Sequence, residues 1–293
     1  MNFTKLPTYM KAVLRAAFRN RPRDYLRMLS DSPLAVKNLP DHGVSLIVDS
    51  RDPAISKPIL CIGQYEKNVT DVLLSLVKDD TRFVDVGANI GYFTLLVARR
   101  CPRGKVFSFE PDPANYAVLK ANVALNRLED VISAHRLAVS DEDGKVYFSD
   151  LGNPANLGAR FTAKEAATLR EHSAAGAAAP VEIDAVRLDT FLKDERVDLV
   201  KVDIEGHEPA AFRGMRNLLE RQRPTIVTEF APGTIQHISK SDPAELLKFF
   251  AELKYGLSVI DDDGSVRPAD ADAVMARFSR NRTHHIDLLL RPA

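Results

Sequence analysis

The stretch FVDVGANIGYFTLLVA, Phe83–Ala98, decides the fold. Phe83-Val84-Asp85-Val86 is a short apolar run of strand type, Gly87 and Gly91 bracket a turn, and Tyr92 to Ala98 continues as an apolar helix. Glycine lacks a Cβ, so such a turn can take positive φ and bring backbone close to a ligand. The free N–H groups at the start of the following helix favour anionic or carboxylate groups. A second strand, Lys105-Val106-Phe107-Ser108-Phe109, ends in Glu110. An acid placed after the second strand of a βαβ unit takes the two hydroxyls of a ribose. The interval from Asp85 to Glu110 has room for one helix and one return strand. The pattern predicts a nucleoside site.

The glycine spacing bears on which nucleoside it is. A dinucleotide fingerprint wants Gly-x-Gly-x-x-Gly, whereas this turn reads Asp85-x-Gly87-x-Asn89-x-Gly91. A carboxylate at the strand end suits a ligand with a positive centre, such as the amino group and sulfonium of S-adenosylmethionine. On this reading Asp85, Gly87 and Asn89 serve the methionine end, Glu110 the ribose, and Gly91 is a further cofactor-binding residue of the turn. The plainer alternative is that Asp85 caps the turn and the glycines only permit it.

Three further segments follow in order: LAVSDEDGKVYF (Leu137–Phe148), VDLVKVDIEGHEPAAFRGM (Val197–Met215) and RPTIVTEF (Arg223–Phe230). Together with DVGANIGYFT and FEPDPANYAVLKANVALN they resemble the FkbM family of S-adenosylmethionine-dependent methyltransferases, over about Gly63 to Phe230. The resemblance implies O-methylation on an α/β, class I methyltransferase fold. That fold is a Rossmann-like, mostly parallel sheet with one antiparallel strand and flanking helices. The family often acts on sugars, polyketides and other hydroxylated products, so the expected acceptor is a hydroxyl of a small molecule or glycan. An acid is also common in the family where Glu66 stands, at the start of the helix EKNVTDVLLSLVKDD. Glu66 is therefore a further cofactor-site candidate, although a carboxylate at a helix N-terminus is stabilising in itself.

VDLVKVDIEGHE carries the chemistry. Val197 to Val202 reads as a buried parallel strand with Asp203, Glu205, His207 and Glu208 at its C-terminal end, the side on which open α/β sheets bind ligands. Methyl transfer to oxygen needs an aligned acceptor and a group that takes its proton. His207 has the intrinsic pKa of a base near neutrality. Asp203 or Glu205 could orient it or take the proton directly, and converging carboxylates could instead hold a divalent cation. For Glu208, before Pro209, a plain first-turn helix acid is as good a reading. Glu229, ending the strand Thr225–Thr228, adds an acid to the same rim unless it pairs with Arg213 or Arg216.

Elsewhere the chain reads as an ordinary globular domain. Val44 to Gln64 suggests short strands, Ile59–Ile62 among them. Asp112 and Pro113 mark a helix start. Ala134 to Val139 reads as the third strand, with Ser140 at its end as the candidate adenine contact. Asp141–Gly144 is read as a hairpin turn before Lys145–Phe148. Residues 150–181 break the βα rhythm. They contain Asn156 and Gly158, where the family places a polar substrate-side loop, and an alanine-rich tract of linker type. Leu257–Ile260 and His285–Leu290 read as the last two strands, joined across Asp261–Gly264.

Of the 293 residues, 45% are hydrophobic and 27% charged, with Lys+Arg and Asp+Glu at 40 each. No global field recruits nucleic acid. Cys61 and Cys101 read as ordinary thiols of a reducing compartment, and no segment approaches a membrane span or a signal peptide, so a cytoplasmic location is expected. Residues 1–40 form a basic helical arm ahead of a methyltransferase domain over 41–293. Met10, Val13, Leu14, Ala17 and Phe18 share one helix face beside Lys5, Lys11, Arg15, Arg19, Arg21, Arg23 and Arg27. That face packs on the domain or a second subunit; the sharper alternative is contact with anionic lipid or an acidic substrate. Two rival functions remain: a nicotinamide-dependent oxidoreductase, against which the glycine spacing and Asp85 count, and a non-catalytic nucleoside-binding adaptor, against which the intact Asp85, Glu110 and Asp203 count.

Overall fold

The computed structural model describes residues 34–149, 161–173, 179–281 and 285–293. Most of the arm assigned to residues 1–40, together with Asn156, Gly158 and most of the alanine tract, lies outside the described residues.

The described chain opens with a hairpin, β1 (Leu34–Leu39) against β2 (Val44–Asp49), so the domain begins inside the stretch assigned to the arm. Next comes α1 (Ser56–Ile62), where Ile59–Ile62 was expected to be a strand. The difference has a local cause. The Asp52 carboxylate accepts from Ala54 N at 3.0 Å and Ser56 N at 2.9 Å, satisfying N–H groups a helix start leaves open. Ile55 and Ile59, four residues apart, then share the buried face.

The core alternates as expected: α2 (Lys67–Leu76), β3 (Arg82–Val86), α3 (Tyr92–Arg100), β4 (Lys105–Phe109), α4 (Pro113–Asn126) and β5 (Ile132–His135). Asp112 caps α4, accepting from Ala114 N at 2.6 Å and Asn115 N at 3.0 Å. The third core strand thus ends at His135, and Ala138–Val139 is a separate strand, β6, in a second sheet. That four-stranded sheet has the order β6-β9-β7-β8, with β7 Gly144–Ser149, β8 Phe161–Ala163 and β9 Val181–Val186. Asp141–Gly144 is therefore no hairpin turn, because β9 lies between β6 and β7. The segment read as irregular supplies β8, α5 (Ala166–His172) and β9.

After this insertion the main sheet resumes with β10 (Leu199–Val202), α6 (Glu208–Arg213), α7 (Arg216–Gln222), β11 (Thr225–Phe230), α8 (Pro243–Glu252), β12 (Tyr255–Ile260), β13 (Val266–Ala269), α9 (Ala271–Asn281) and β14 (Ile286–Pro292). Its order is β13-β12-β14-β11-β10-β3-β4-β5. Strands β11, β10, β3, β4 and β5 run parallel and β14 runs against β11. This is the mostly parallel, α/β methyltransferase sheet that was expected, with β13 added at the edge. Asp261–Gly264 leads into β13 and α9 rather than joining the last two strands directly.

The central strands are buried on both faces, which is why they read as continuous apolar runs. Phe83, Leu95, Val106 and Leu119 pack on one side. Val84, Val86, Phe109, Val202 and Phe212 pack on the other. Fully buried Asn122 of α4 ties the hairpin to this frame: its Oδ1 accepts from Ile47 N at 2.6 Å, and its Nδ2 donates to Ile47 O and Ile90 O.

Candidate active site

At the C-terminal ends of β3, β4, β10 and β11 the layers part into a crevice of about 840 Å³, counting the space open to solvent. Gly87, Ala88, Asn89 and Ile90 line one part with Glu110 and Pro111; Lys201, Asp203, Glu205 and Glu229 line another. Tyr65 and Phe93 contribute aromatic wall, and Phe148 of β7 and Thr162 of β8 reach in from the small sheet.

Gly87 has φ +84°, and a Cβ there would stand 1.9 Å from the backbone O of Asp203. The turn after β3 and the end of β10 therefore approach each other only because this residue is glycine. Asn89 follows at φ +48°, and its backbone N–H donates to Glu110 Oε2 at 2.8 Å, while Asp112 N donates to Glu110 Oε1 at 2.9 Å. Glu110 thus braces the turn through both carboxylate oxygens while lining the crevice.

Asp85 and Gly91 are placed otherwise. Gly91, at φ +92°, packs on α4, where a Cβ would lie 2.6 Å from Leu119 Cδ1. It serves helix packing and does not line the crevice. Asp85 is 1% exposed and sits behind the turn, its Oδ2 accepting from Thr94 Oγ1 at 2.6 Å. Burial raises the pKa of this carboxyl, against the opposing pull of Lys201. Its Oδ1 has no hydrogen-bond partner among the described residues.

Two expected residues leave the site altogether. Ser140 and His207, expected as adenine contact and base, meet behind the crevice, with Ser140 Oγ and His207 Nε2 3.2 Å apart. Gly206 turns the chain at φ +96° just before α6, and His207 faces a second cavity with Lys164, Glu171 and Arg213. Burial pushes its imidazole down to about 4, with Asp141 pulling upward and Arg213 pushing further down. A neutral ring outside the crevice is no base for chemistry inside it, which corrects the expectation. Glu208 braces its own turn, Oε1 accepting from Ile204 N at 3.0 Å and Gly206 N at 3.2 Å. Glu229 pairs with neither expected arginine, since Arg213 binds Asp141 and Arg216 binds Glu220.

Lys201 was missed. It is 3% exposed in a valine-rich strand, donates from Nζ to Asp203 Oδ2 at 2.8 Å, and lies 4.4 Å from the centroid of the Phe93 ring. Burial alone would lower its pKa; Asp203, Glu66 and Asp85 outweigh burial and keep it charged. The signal was legible in VKVD, because a lysine inside a buried strand is costly unless an acid answers it, and Asp203 follows two residues later on the same face.

Around Lys201 the acids titrate high. Burial raises Glu205 to about 8, helped by Asp203, Glu208 and Glu66. It raises Glu66 to about 7, opposed by Lys201, and Asp287 of β14 to about 6, opposed by His285. Glu229 is held well above the usual carboxylate range by burial and by Asp203. Glu66, at φ +42° ahead of α2, belongs to this group of acids and not to the crevice lining. Among the described residues no three His, Cys, Asp or Glu side chains come together as a metal-binding set, and no helix is long and apolar enough to cross a membrane.

Residues 85–257, from Asp85 through the end of β10 and on into β12, match the family described as the methyltransferase FkbM domain. The chain belongs to that family. It is similar to methyltransferase sdnD of Sordaria araneosa, 33% identical over 179 residues that span 52% of this chain and 68% of that protein. It is also similar to the hexuronic acid methyltransferase AglP of Haloferax volcanii, 27% identical over 194 residues, 66% of this chain and 71% of that protein. The crystal structure of methyltransferase FkbM from Methylobacillus flagellatus KT overlays with a TM-score of 0.43 at 17% identity, across 73% of this chain and 44% of that one. The FkbM match begins at Asp85 and takes in Gly87 to Ile90, Glu110, Lys201, Asp203, Glu205 and Glu229 of the crevice.

Proposed function

We propose that this FkbM-family protein transfers a methyl group from S-adenosylmethionine to a hydroxyl oxygen of a small molecule or glycan. The observation that carries the reading is one crevice with a nucleoside-type turn, Gly87 to Ile90 with Glu110, at one part and the carboxylates of Asp203, Glu205 and Glu229 at the other. The donor set fits the cofactor. Glu110 presents a carboxylate to the crevice for ribose hydroxyls, the Gly87 turn brings backbone to its wall, and the buried Asp85 Oδ1, without a hydrogen-bond partner among the described residues, lies at the base of that turn. When bound, S-adenosylmethionine supplies an electrophilic methyl group on a sulfonium.

The remaining work falls to the chain. Asp203, latched by Lys201 at 2.8 Å, accepts a hydrogen bond from the acceptor hydroxyl and orients it. Glu205, a carboxyl whose pKa burial lifts to about 8, takes the proton, since a base works best with its pKa near the operating pH. Phe148 and Thr162 cover the crevice and shield it from water. A relative named for a hexuronic acid supports sugar-like acceptors.

The test is calorimetry followed by mass spectrometry of hydroxylated acceptors incubated with isotope-labelled cofactor. Micromolar-range binding of S-adenosylmethionine and a labelled methyl on oxygen are expected. Binding of a pyridine nucleotide in its place would turn the assignment to an oxidoreductase, and cofactor binding without transfer to any acceptor would favour the adaptor.

A further inference from the structure

We propose that Glu208 is a positioning residue: by accepting hydrogen bonds from the main chain on both sides of Glu205, it holds Glu205 in a left-handed backbone conformation and so keeps its carboxyl in the crevice wall. The role rests on the assignment of Glu205 as proton acceptor above, and adds to it what keeps that group in place.

Glu205 stands at φ +52°, and Gly206 after it at φ +96°. Glycine takes such a conformation freely, whereas a residue with a Cβ keeps it only where its surroundings over-determine it. Glu208 Oε1 accepts from Ile204 N at 3.0 Å and from Gly206 N at 3.2 Å, the two amides that flank Glu205. The ends of the turn are fixed separately. Asp203 N donates to Val86 O at 3.0 Å, tying the end of β10 to β3. Ser239 Oγ donates to Gly206 O, and a Cβ at Gly206 would stand 2.7 Å from Thr234 Cγ2. Inside the turn the backbone bond from His207 N to Ile204 O is long at 3.4 Å, which leaves the closure to the Glu208 carboxyl.

Glu208 is 2% exposed and does not line the crevice, so it reaches the chemistry only through Glu205. Its Oε2 has no hydrogen-bond partner among the described residues, and the bridge is made by Oε1. Burial raises this carboxyl to about 7, against hydrogen bonds from its own amide and those of Ile204 and Gly206. Protonation leaves the bridge intact, because a neutral carboxyl still has an acceptor oxygen. The role is therefore one of acceptor geometry, not of charge, and a glutamine side chain fills it.

Glu208→Gln keeps an oxygen where Oε1 stands and Glu208→Ala keeps none, while both remove the charge. Their difference isolates the two hydrogen bonds. The readout is the Glu205 carboxyl itself, followed by carbon-detected NMR on the full chain labelled at its glutamate side chains and assigned by its loss in Glu205→Gln. In the wild type it should titrate near about 8, held there by burial and by Asp203, Glu208 and Glu66. Glu229 of β11 feels Glu205 in turn, and Lys201 is committed to Asp203.

In Glu208→Gln the midpoint should fall only by the lost charge. In Glu208→Ala it should fall at least about one pH unit further, a tenfold change in ionisation, as the turn relaxes and Glu205 moves toward water. Glu208→Asp keeps the charge but is one methylene short of the two amides, so it should fall in the same way and decides the matter where the alanine variant does not fold. Equal midpoints in the glutamine and alanine variants, or a wild-type midpoint at the ordinary 4.5, would overturn the positioning role. Calorimetry with S-adenosylmethionine on the wild-type chain keeps the two readings apart: absence of binding would overturn the proposed function, while the carboxyl titration still decides what Glu208 does.

Discussion

Glu110→Gln tests the nucleoside site most directly. The wild-type carboxylate accepts two backbone N–H groups, from Asn89 at 2.8 Å and Asp112 at 2.9 Å, one on each oxygen. A glutamine of the same shape has one carbonyl oxygen, so its NH₂ must face one of these donors. One buried N–H then loses its acceptor, which costs about 1–3 kcal/mol, and the surviving bond loses its charge assistance. A loss near 2 kcal/mol should lower the melting temperature by roughly 4–8 °C for a domain of this size. If the same carboxylate also receives ribose hydroxyls, S-adenosylmethionine affinity falls at least about tenfold, because bonds to charged acceptors are worth about 1.5–3 kcal/mol each. Differential scanning calorimetry reads the first effect and titration calorimetry the second. An unchanged melting temperature would refute the bracing role, and unchanged cofactor affinity would refute the ribose role.

Gly87→Ala places a Cβ 1.9 Å from Asp203 O and 2.9 Å from Ile204 Cγ2 at φ +84°; strain of roughly 2–4 kcal/mol should appear as a lower melting temperature together with weakened cofactor binding. Asn122→Ala strips the buried Ile47 N–H and C=O of their partner, so urea denaturation should show a stability loss of about 2–4 kcal/mol with cofactor affinity little changed once folded. For His207 the folded pKa, about 4, lies below the ordinary 6.5. Its stabilising share is therefore full above about pH 6.5 and is lost as pH falls toward about 4. His207→Gln should be the less stable protein at neutral pH and should close on the wild type as the urea midpoints are followed down to about pH 4. Because His207 faces away from the crevice, the same variant should bind S-adenosylmethionine with near wild-type affinity.

The core was legible because its signals are local. The run Phe83–Ala98 states strand, turn and helix through hydrophobic pattern and glycine placement, and β3, α3, β4 and α4 appear where those residues put them. Gly87, Asn89 and Glu110 likewise reach the crevice as read, since a turn after a parallel strand has few ways to lie. Legibility failed where pattern was mute. Ile59–Ile62 is apolar under either period, and only the Asp52 cap and the burial of Ile55 with Ile59 settle it as helix. The stretch from Asp150 to Val181 shows no βα rhythm because β8 and β9 belong to a small separate sheet whose partners lie far apart in sequence.

By itself, the sequence determined that a glycine turn after a parallel strand, an acid after the second strand and an acid-rich fourth strand end occur in one α/β domain, for each depends on a few adjacent residues. Only the tertiary structure decided which of those side chains share a space. Asp203, Glu205 and His207 lie within five positions of one another, yet the φ +96° turn at Gly206 sends His207 to Ser140 on the far side, while Asp203 and Glu205 stay in the crevice. Lys201, Glu229 and Asp287 join the same field from three neighbouring strands. A strand buried on both faces hides which way each residue points, and charge acts through space over distances that sequence order does not measure.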